Sequence, residues 1–269
     1  MTAKIKYAYE KTGTFSERFP VLYNQDQRYQ KAAKVIAVCR DFSDRPLREL
    51  TALDFGASTA IMTDYFARYF KQVIALDVDH VGLHSGRKSS QAGNIMYICS
   101  DGTRAALRDG CVDVIICNQV YEHVVDQYGL AFEIERLLAP GGFCYFGAGN
   151  RFVLVEGHYF LPFLSWMPLW AADCYLKLTG RKVKYDVRLL SLRNLRRLLK
   201  NFDMTDYTGR IIQDPQLFAA TDVVRPNSIL ARLPRRLYRL AYLFLPAWVF
   251  VIRPRMTERP EKAINSAAR

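Results

Sequence analysis

Three acids close short apolar runs: Asp54 in "LDFGASTA", Asp77 in "ALDVD" and Asp101 in "CSDGT". Carboxylates in such places can accept hydrogen bonds from the hydroxyl and amino groups of a ligand. Gly56 lets the backbone approach a ligand closely, and Ala57, Ser58 and Ala60 keep that surface low. Asp77 lies 21 residues beyond Gly56, a spacing at which a carboxylate takes both hydroxyls of a ribose. A nicotinamide dinucleotide reads the same way so far, but its pyrophosphate wants three glycines at a helix N-terminus. This loop has one glycine, and Asp54 repels phosphate. It suits a ligand that carries positive charge. Simpler roles stay open: Asp54 as a helix cap, Asp77 as a solvated strand-end acid, Asp101 as a turn residue before Gly102.

Proton transfer needs a base, and the chain has four histidines. His123, in "NQVYEHV", follows an apolar run and is the first candidate. His158, in "VEGHYF", is the second, two residues from Glu156. Each has a packing role as its alternative. His84 is expected to be structural or solvated on a helix, and His80 to cap that helix. The six cysteines show no CxxC or Cys/His ligand spacing. They read as buried, reduced thiols, and no metal site is expected.

These residues need a scaffold, and the pattern supplies one. Strand-like runs at 50–55, 72–76, 95–99, 112–117 and 143–148 alternate with helical ones at 27–42, 60–70, 81–89 and 128–138. That alternation argues for a parallel sheet covered on both faces. Residues 149–200 begin with an aromatic, proline-punctuated stretch, which reads as an insertion. Ser191 is expected to cap a helix over 191–200, residues 204–212 to form a strand, 234–245 a helix opened by proline, and 247–252 a strand.

The ordered set Asp54–Gly56, Asp77, Asp101, "NQVYEHV" and "LLAPGGFCYFG" resembles the class I S-adenosylmethionine-dependent methyltransferases across residues 50–147. The resemblance implies an α/β, Rossmann-like, seven-stranded, mostly parallel sheet with helices on both faces. It implies an insertion after strand 5 and an antiparallel last strand. It divides a single domain into an N-terminal cap region (1–49), a cofactor-binding core (50–148) and an insertion or lid over the acceptor site (149–200). C-terminal strands with a basic helix (201–256) and a disordered tail (257–269) follow. It implies S-adenosylmethionine as cofactor. Asp54, Gly56, Ala57 and Ser58 would form the loop, Asp77 and Val78 would meet the ribose, and Asp101 and Gly102 the adenine. Asn118 and Gln119 would lie beside the methionine moiety, with Tyr23 and Arg28 in a capping segment. The family usually has glycine where Ser58 and often where Ala60 stand. A base is needed only for a protonated acceptor, and His123, His158 and Glu156 are its candidates.

The net charge of +12 is uneven. Residues 177–200 and 223–257 together carry +15, leaving the rest slightly acidic at −3. Arg232, Arg235, Arg236 and Arg239 fall on one helical stripe, with Leu233, Leu237, Leu240, Ala241 and Phe244 on the other side. Such a helix fits an anionic membrane edge or an anionic substrate, or else packs its apolar side on the sheet. No recognised nucleic-acid module is present, so a nucleic-acid partner is not expected. The apolar stretches 160–172 and 240–252 are too short to span a bilayer, which takes ~20 residues, and no signal peptide is expected. The function expected is O-methylation of a glycan or lipid-linked acceptor by a cytoplasmic enzyme, peripheral at the inner membrane face. A small-metabolite O- or N-methyltransferase and a non-catalytic binding module are the alternatives.

Overall fold

In a computed structural model describing residues 15–226, 228 and 235–255, the apolar runs assemble into one seven-stranded sheet. Its strands are β1 (Thr51–Phe55), β2 (Gln72–Asp77), β3 (Ile95–Cys99), β4 (Val112–Asn118), β5 (Leu138–Gly149), β6 (Phe202–Asp206) and β7 (Ala247–Pro254). The order is β3-β2-β1-β4-β5-β7-β6. Strands β1 to β5 are parallel, and β7 runs antiparallel to both β5 and β6. The antiparallel strand anticipated at the end of the chain therefore inserts between β5 and β6. From β3 the chain crosses back to β4 on the far side of β1. That reversal opens a crevice at the carboxyl ends of β1 and β4, where open α/β sheets bind ligands.

Alternate residues feed two cores. Leu53, Phe55, Ile115 and Cys117 pack on one face, with α5 (Gln127–Leu137) and α7 (Leu192–Leu198). Ala52, Val73, Val114 and Ile116 pack on the other, with α2 (Gln25–Phe42) and α3 (Ile61–Ala67). Caps fix the helix starts. Asn24 accepts from Gln27 N, Asp126 from Gly129 N, and Ser191 from Asn194 N. At α4 (His80–Ser89) the cap is Asp79, which accepts from Gly82 N at 2.9 Å; His80 is exposed and does not cap. His84 is exposed on the same helix.

The strand expected over 204–212 ends at Asp206. Asp206 Oδ1 accepts from Thr208 N at 2.9 Å, which turns the chain into α8 (Thr208–Gln213). Tyr207 is buried there and donates its hydroxyl to Asp41 at 2.6 Å. The insertion has a small core of its own: Tyr159, Leu161, Leu164, Ala172, Leu176, Tyr185 and Val187, around α6 (Leu169–Leu178). The basic helix is α9 (Arg235–Tyr242). Arg232, the side chain of Arg235, residues 1–14 and the tail 257–269 lie outside the described residues. Cys39, Cys117 and Cys144 are buried and Cys111 half-buried, but Cys99 and Cys174 are exposed, Cys99 because β3 is an edge strand. All six cysteines are free, and no metal-binding cluster exists among the described residues.

Candidate cofactor cleft and acceptor site

A cleft opens at the carboxyl ends of β1 to β4. Glycine makes its floor. Gly56 has φ +77°, and a Cβ there would lie 2.6 Å from Val120 Cγ2. A Cβ on Gly102 would overlap the Phe55 ring. Ser58 and Ala60 are left-handed too, at φ +51° and +52°, although side chains disfavour that region by ~1–2 kcal/mol.

Two neighbours hold the loop in this shape. Gly82 and Gly86 of α4 lie one turn apart and leave room for its backbone to pack against the helix. A Cβ on Gly82 would lie 2.7 Å from the Ser58 carbonyl oxygen, and one on Gly86 would overlap that of Thr59. On the cleft side, Asp77 Oδ2 accepts from Ser58 N at 2.7 Å and Oδ1 from Asp79 N at 2.8 Å. Burial raises the Asp77 pKa, and these N–H groups oppose the rise. Each oxygen keeps a second lone pair for a ligand hydroxyl. Asp101 Oδ1 accepts from Thr103 N at 2.8 Å and from its hydroxyl at 2.9 Å. The acid thus shapes the turn before Gly102 while leaving Oδ2 for a ligand.

Gly56, Ser58, Asp77, Val78, Asp101, Gly102, Gln119 and His123 line the cleft. Asp54, Ala57, Asn118, Tyr23 and Arg28, also expected at the cofactor, do not. Asp54 shares the strand face of Ala52 and points into the helix layer, where Thr63 donates to it at 2.5 Å. Burial pushes Asp54 up to about 6, against Thr63 and the buried Arg28 guanidinium of α2. Burial lowers the Arg28 pKa, and Asp54 counters it. Ala57 packs against Ala75 and Leu83, Asn118 sits against Gly147 of β5, and Tyr23 lines a separate hollow with Tyr29 and Thr59.

Beside the cleft stand the turn Tyr121–His123 and the insertion, whose His158 and Glu156 do not themselves line it. His123 lines the cleft, its ring 4.9 Å from that of His158 and 5.1 Å from Phe15. Burial, then the charge of His158, pushes the His123 pKa down to about 4, so it is neutral at pH 7. His158 Nδ1 lies 2.6 Å from Glu156 Oε1. Glu156 is buried, and its Oε2 accepts from the backbone N–H of His158 and Tyr159. Burial lowers the His158 pKa, but Glu156 together with Glu122 and Asp186 outweighs it, and the net shift is upward.

Sequence reasoning passed over several neighbours. Glu122 is fully buried with neither oxygen hydrogen-bonded, and burial pushes its pKa up to about 7. Phe15 closes the cleft from α1 (Phe15–Arg18). That helix is latched by Ser16 N donating to Asp79 Oδ2 at 2.6 Å and by an Arg18–Asp186 ion pair of 3.2 Å to the insertion. The spacing of Gly82 and Gly86 in a helix was the one visible signal of the close packing beneath the loop.

Among the described residues that line it, the cleft has two carboxylates and no lysine or arginine. Residues 53–146, which contain both, match the family model described as "Methyltransferase domain". Over that segment, 94 of the chain's 269 residues, the chain is similar to the methyltransferase domain. An uncharacterized methyltransferase from Mycobacterium sp. (strain JLS) is 35% identical over 92 residues of it. That match covers 34% of this chain and only 36% of the relative's length. A ubiquinone biosynthesis O-methyltransferase from Psychrobacter cryohalolentis is 27% identical over 172 residues, covering 58% of this chain and 66% of the relative. The chain shares its fold with the plantazolicin methyltransferase BpumL, solved in complex with SAH. The TM-score is 0.57 at 16% identity, covering 89% of each chain. The [4+2]-cyclase SpnF is similar at TM-score 0.52 and 16% identity, covering 84% of this chain and 81% of that one. Likeness at this level carries the fold and not the reaction.

Proposed function

We propose that this chain transfers a methyl group from S-adenosylmethionine to a hydroxyl of a glycan or lipid-linked acceptor at the cytoplasmic membrane face. The observation that carries the reading is the cleft's charge. Asp77 and Asp101 line it with no cation among the described residues, which fits a cationic cofactor without phosphates and disfavours a dinucleotide. The donor and acceptor set fits as well: Asp77 for the ribose hydroxyls, Asp101 Oδ2 for the adenine amino group, and Gly56 for close backbone contact. When bound, the cofactor supplies a methyl group already activated on a sulfonium. The chain's task is then alignment, exclusion of water and removal of the acceptor proton.

His158 suits that last role better than His123. Glu156 fixes its Nδ1 and stabilises the imidazolium form, in the manner of a carboxylate behind a catalytic histidine. His123, neutral and packed on Phe15, shapes the wall between cleft and base. A base is needed for an oxygen acceptor, and the name of the Psychrobacter relative supports O-methylation.

Calorimetry against S-adenosylmethionine, its demethylated product and NAD tests the cofactor. Asp77→Asn should weaken cofactor binding by ~1–3 kcal/mol; preferential NAD binding overturns the assignment. Incubating a native extract with the protein and isotopically labelled S-adenosylmethionine identifies the acceptor by mass spectrometry. Label in a small-molecule fraction replaces the acceptor class, and no label despite intact cofactor binding leaves a binding module.

A further inference from the structure

We infer that the insertion and α9 form one face that docks on an anionic lipid bilayer. This deepens the membrane-proximal part of the proposed function. The first observation is which side of α9 packs. Tyr242 is buried, its ring 6.1 Å from that of Trp248, and Trp248 Nε1 donates to the Tyr242 carbonyl at 3.0 Å. Tyr238 lies beside Tyr242 at 6.0 Å. The tyrosines therefore seat the helix. Leu237 and Leu240 stay 54% and 59% exposed, beside the exposed Arg236 and Arg239. The leucine side does not pack on the sheet, so the ordinary explanation of an amphipathic helix fails for α9.

The insertion presents the same chemistry. In α6, Ala172 and Leu176 face inward, while Trp170 and Leu178, two turns apart, are 73% and 87% exposed. Phe160, at 78% exposed, stands on a turn held by its own N–H to the Glu156 carbonyl. The two elements are continuous through Trp166, whose ring lies 5.3 Å from Phe163 and 6.5 Å from Phe244 of the segment after α9.

Charge selects the occupant. Between residues 151 and 182 the acids are Glu156, which is buried, and Asp173, which accepts from Tyr185 N; between 223 and 257 there are none. Lys177, Lys182, Arg236 and Arg239 are exposed. Protruding aromatic and leucine side chains, flanked by cations on segments that themselves carry no exposed carboxylate, match the interface of an anionic bilayer; the exposed Asp206 of β6 lies on the tyrosine side of α9, away from the leucines. Among the described residues no helix is long and apolar enough to cross a membrane, so the contact is peripheral.

The test uses the full chain with phosphatidylcholine vesicles, with or without a quarter phosphatidylglycerol. Co-sedimentation is expected with the anionic vesicles only. Each surface cation adds roughly fivefold to partitioning, so Arg236→Gln with Arg239→Gln should lower it by roughly 25-fold at low salt. Phe160→Ser with Trp170→Ser should remove the binding that survives high salt. Calorimetry with the demethylated cofactor checks that both variants are folded. Three results overturn the inference: no binding to anionic vesicles at low salt, equal binding to neutral ones, or self-association that the Phe160/Trp170 variant abolishes while vesicles are ignored. Vesicle binding with no cofactor binding would leave this face standing and defeat the methyl-transfer reading; the reverse pattern would do the opposite.

Discussion

Replacing Gly82 or Gly86 of α4 by alanine should destabilise the protein, against the preference of helices themselves. Alanine in a helix interior is favoured over glycine by ~1 kcal/mol, so propensity alone predicts a gain. The structure predicts a loss. A Cβ at position 82 would lie 2.7 Å from the Ser58 carbonyl oxygen, whereas ordinary contact begins near ~3.5 Å. The loop would have to retreat by about 0.8 Å, with no side-chain rotamer available to relieve the clash. Overpacking of this kind costs ~1–3 kcal/mol. The retreat also strains the 2.7 Å bond from Ser58 N to Asp77, a charge-assisted bond worth ~1.5–3 kcal/mol. Set against the propensity gain, each substitution should lower stability by ~1–3 kcal/mol. Because Gly56 and Ser58 line the cleft, cofactor affinity should fall with it. Urea unfolding gives the first quantity and titration with the demethylated cofactor the second. Gly93→Ala, where an added methyl meets nothing within 4 Å, serves as the baseline. A stability gain of ~1 kcal/mol in either variant would mean that the loop does not sit on α4.

Three further outcomes follow from the same geometry. Ser58→Gly removes a left-handed strain of ~1–2 kcal/mol at an entropic cost of ~0.5–1 kcal/mol. Stability should hold or rise slightly in urea with cofactor affinity kept; a clear loss of affinity would reveal a contact made by the Ser58 hydroxyl. Glu156→Gln should slow methyl transfer and shift the rate–pH profile to lower pH, because Glu156 holds the His158 pKa up; an unmoved profile removes His158 as base. Glu122→Gln should stabilise the protein at pH 8 far more than at pH 5. The folded pKa of Glu122, about 7, exceeds its ordinary 4.5, so the native state holds the proton more tightly. Its stability is greatest below about pH 4.5 and is lost as pH rises through about 7, at ~1.4 kcal/mol per unit. Urea midpoints shifted equally at both pH values would contradict that account.

The sequence by itself determined the element order, the parallel core and the acids at its strand ends. Short apolar runs alternating with helical ones have few ways to bury themselves, and a carboxylate that closes a buried strand falls at the sheet's rim. Asp77 and Asp101 were legible as neighbours on that ground, and Gly56 from the absence of a side chain where a ligand must approach. Tertiary structure decided what depends on a partner distant in the chain. Asp54 directly precedes Phe55, which lines the cleft, yet it lies on the opposite face of β1, where the packing of α2 and α3 places it against Arg28 and Thr63. Which side of α9 packs was set by the indole of Trp248, which takes the tyrosines and leaves the leucines out. Glu122 reads locally as a polar residue in a turn; only Arg188, drawn across by the insertion to donate its N–H to the Glu122 carbonyl at 2.7 Å, and the chain around it bury that carboxylate. Gly82 and Gly86 mark a close approach whose other side, the loop at 58–60, lies over twenty residues upstream. Hydrophobic pattern records whether a residue is buried; it does not record against what, because contacts across the fold are fixed by shape and hydrogen bonding between segments that carry no local sign of each other.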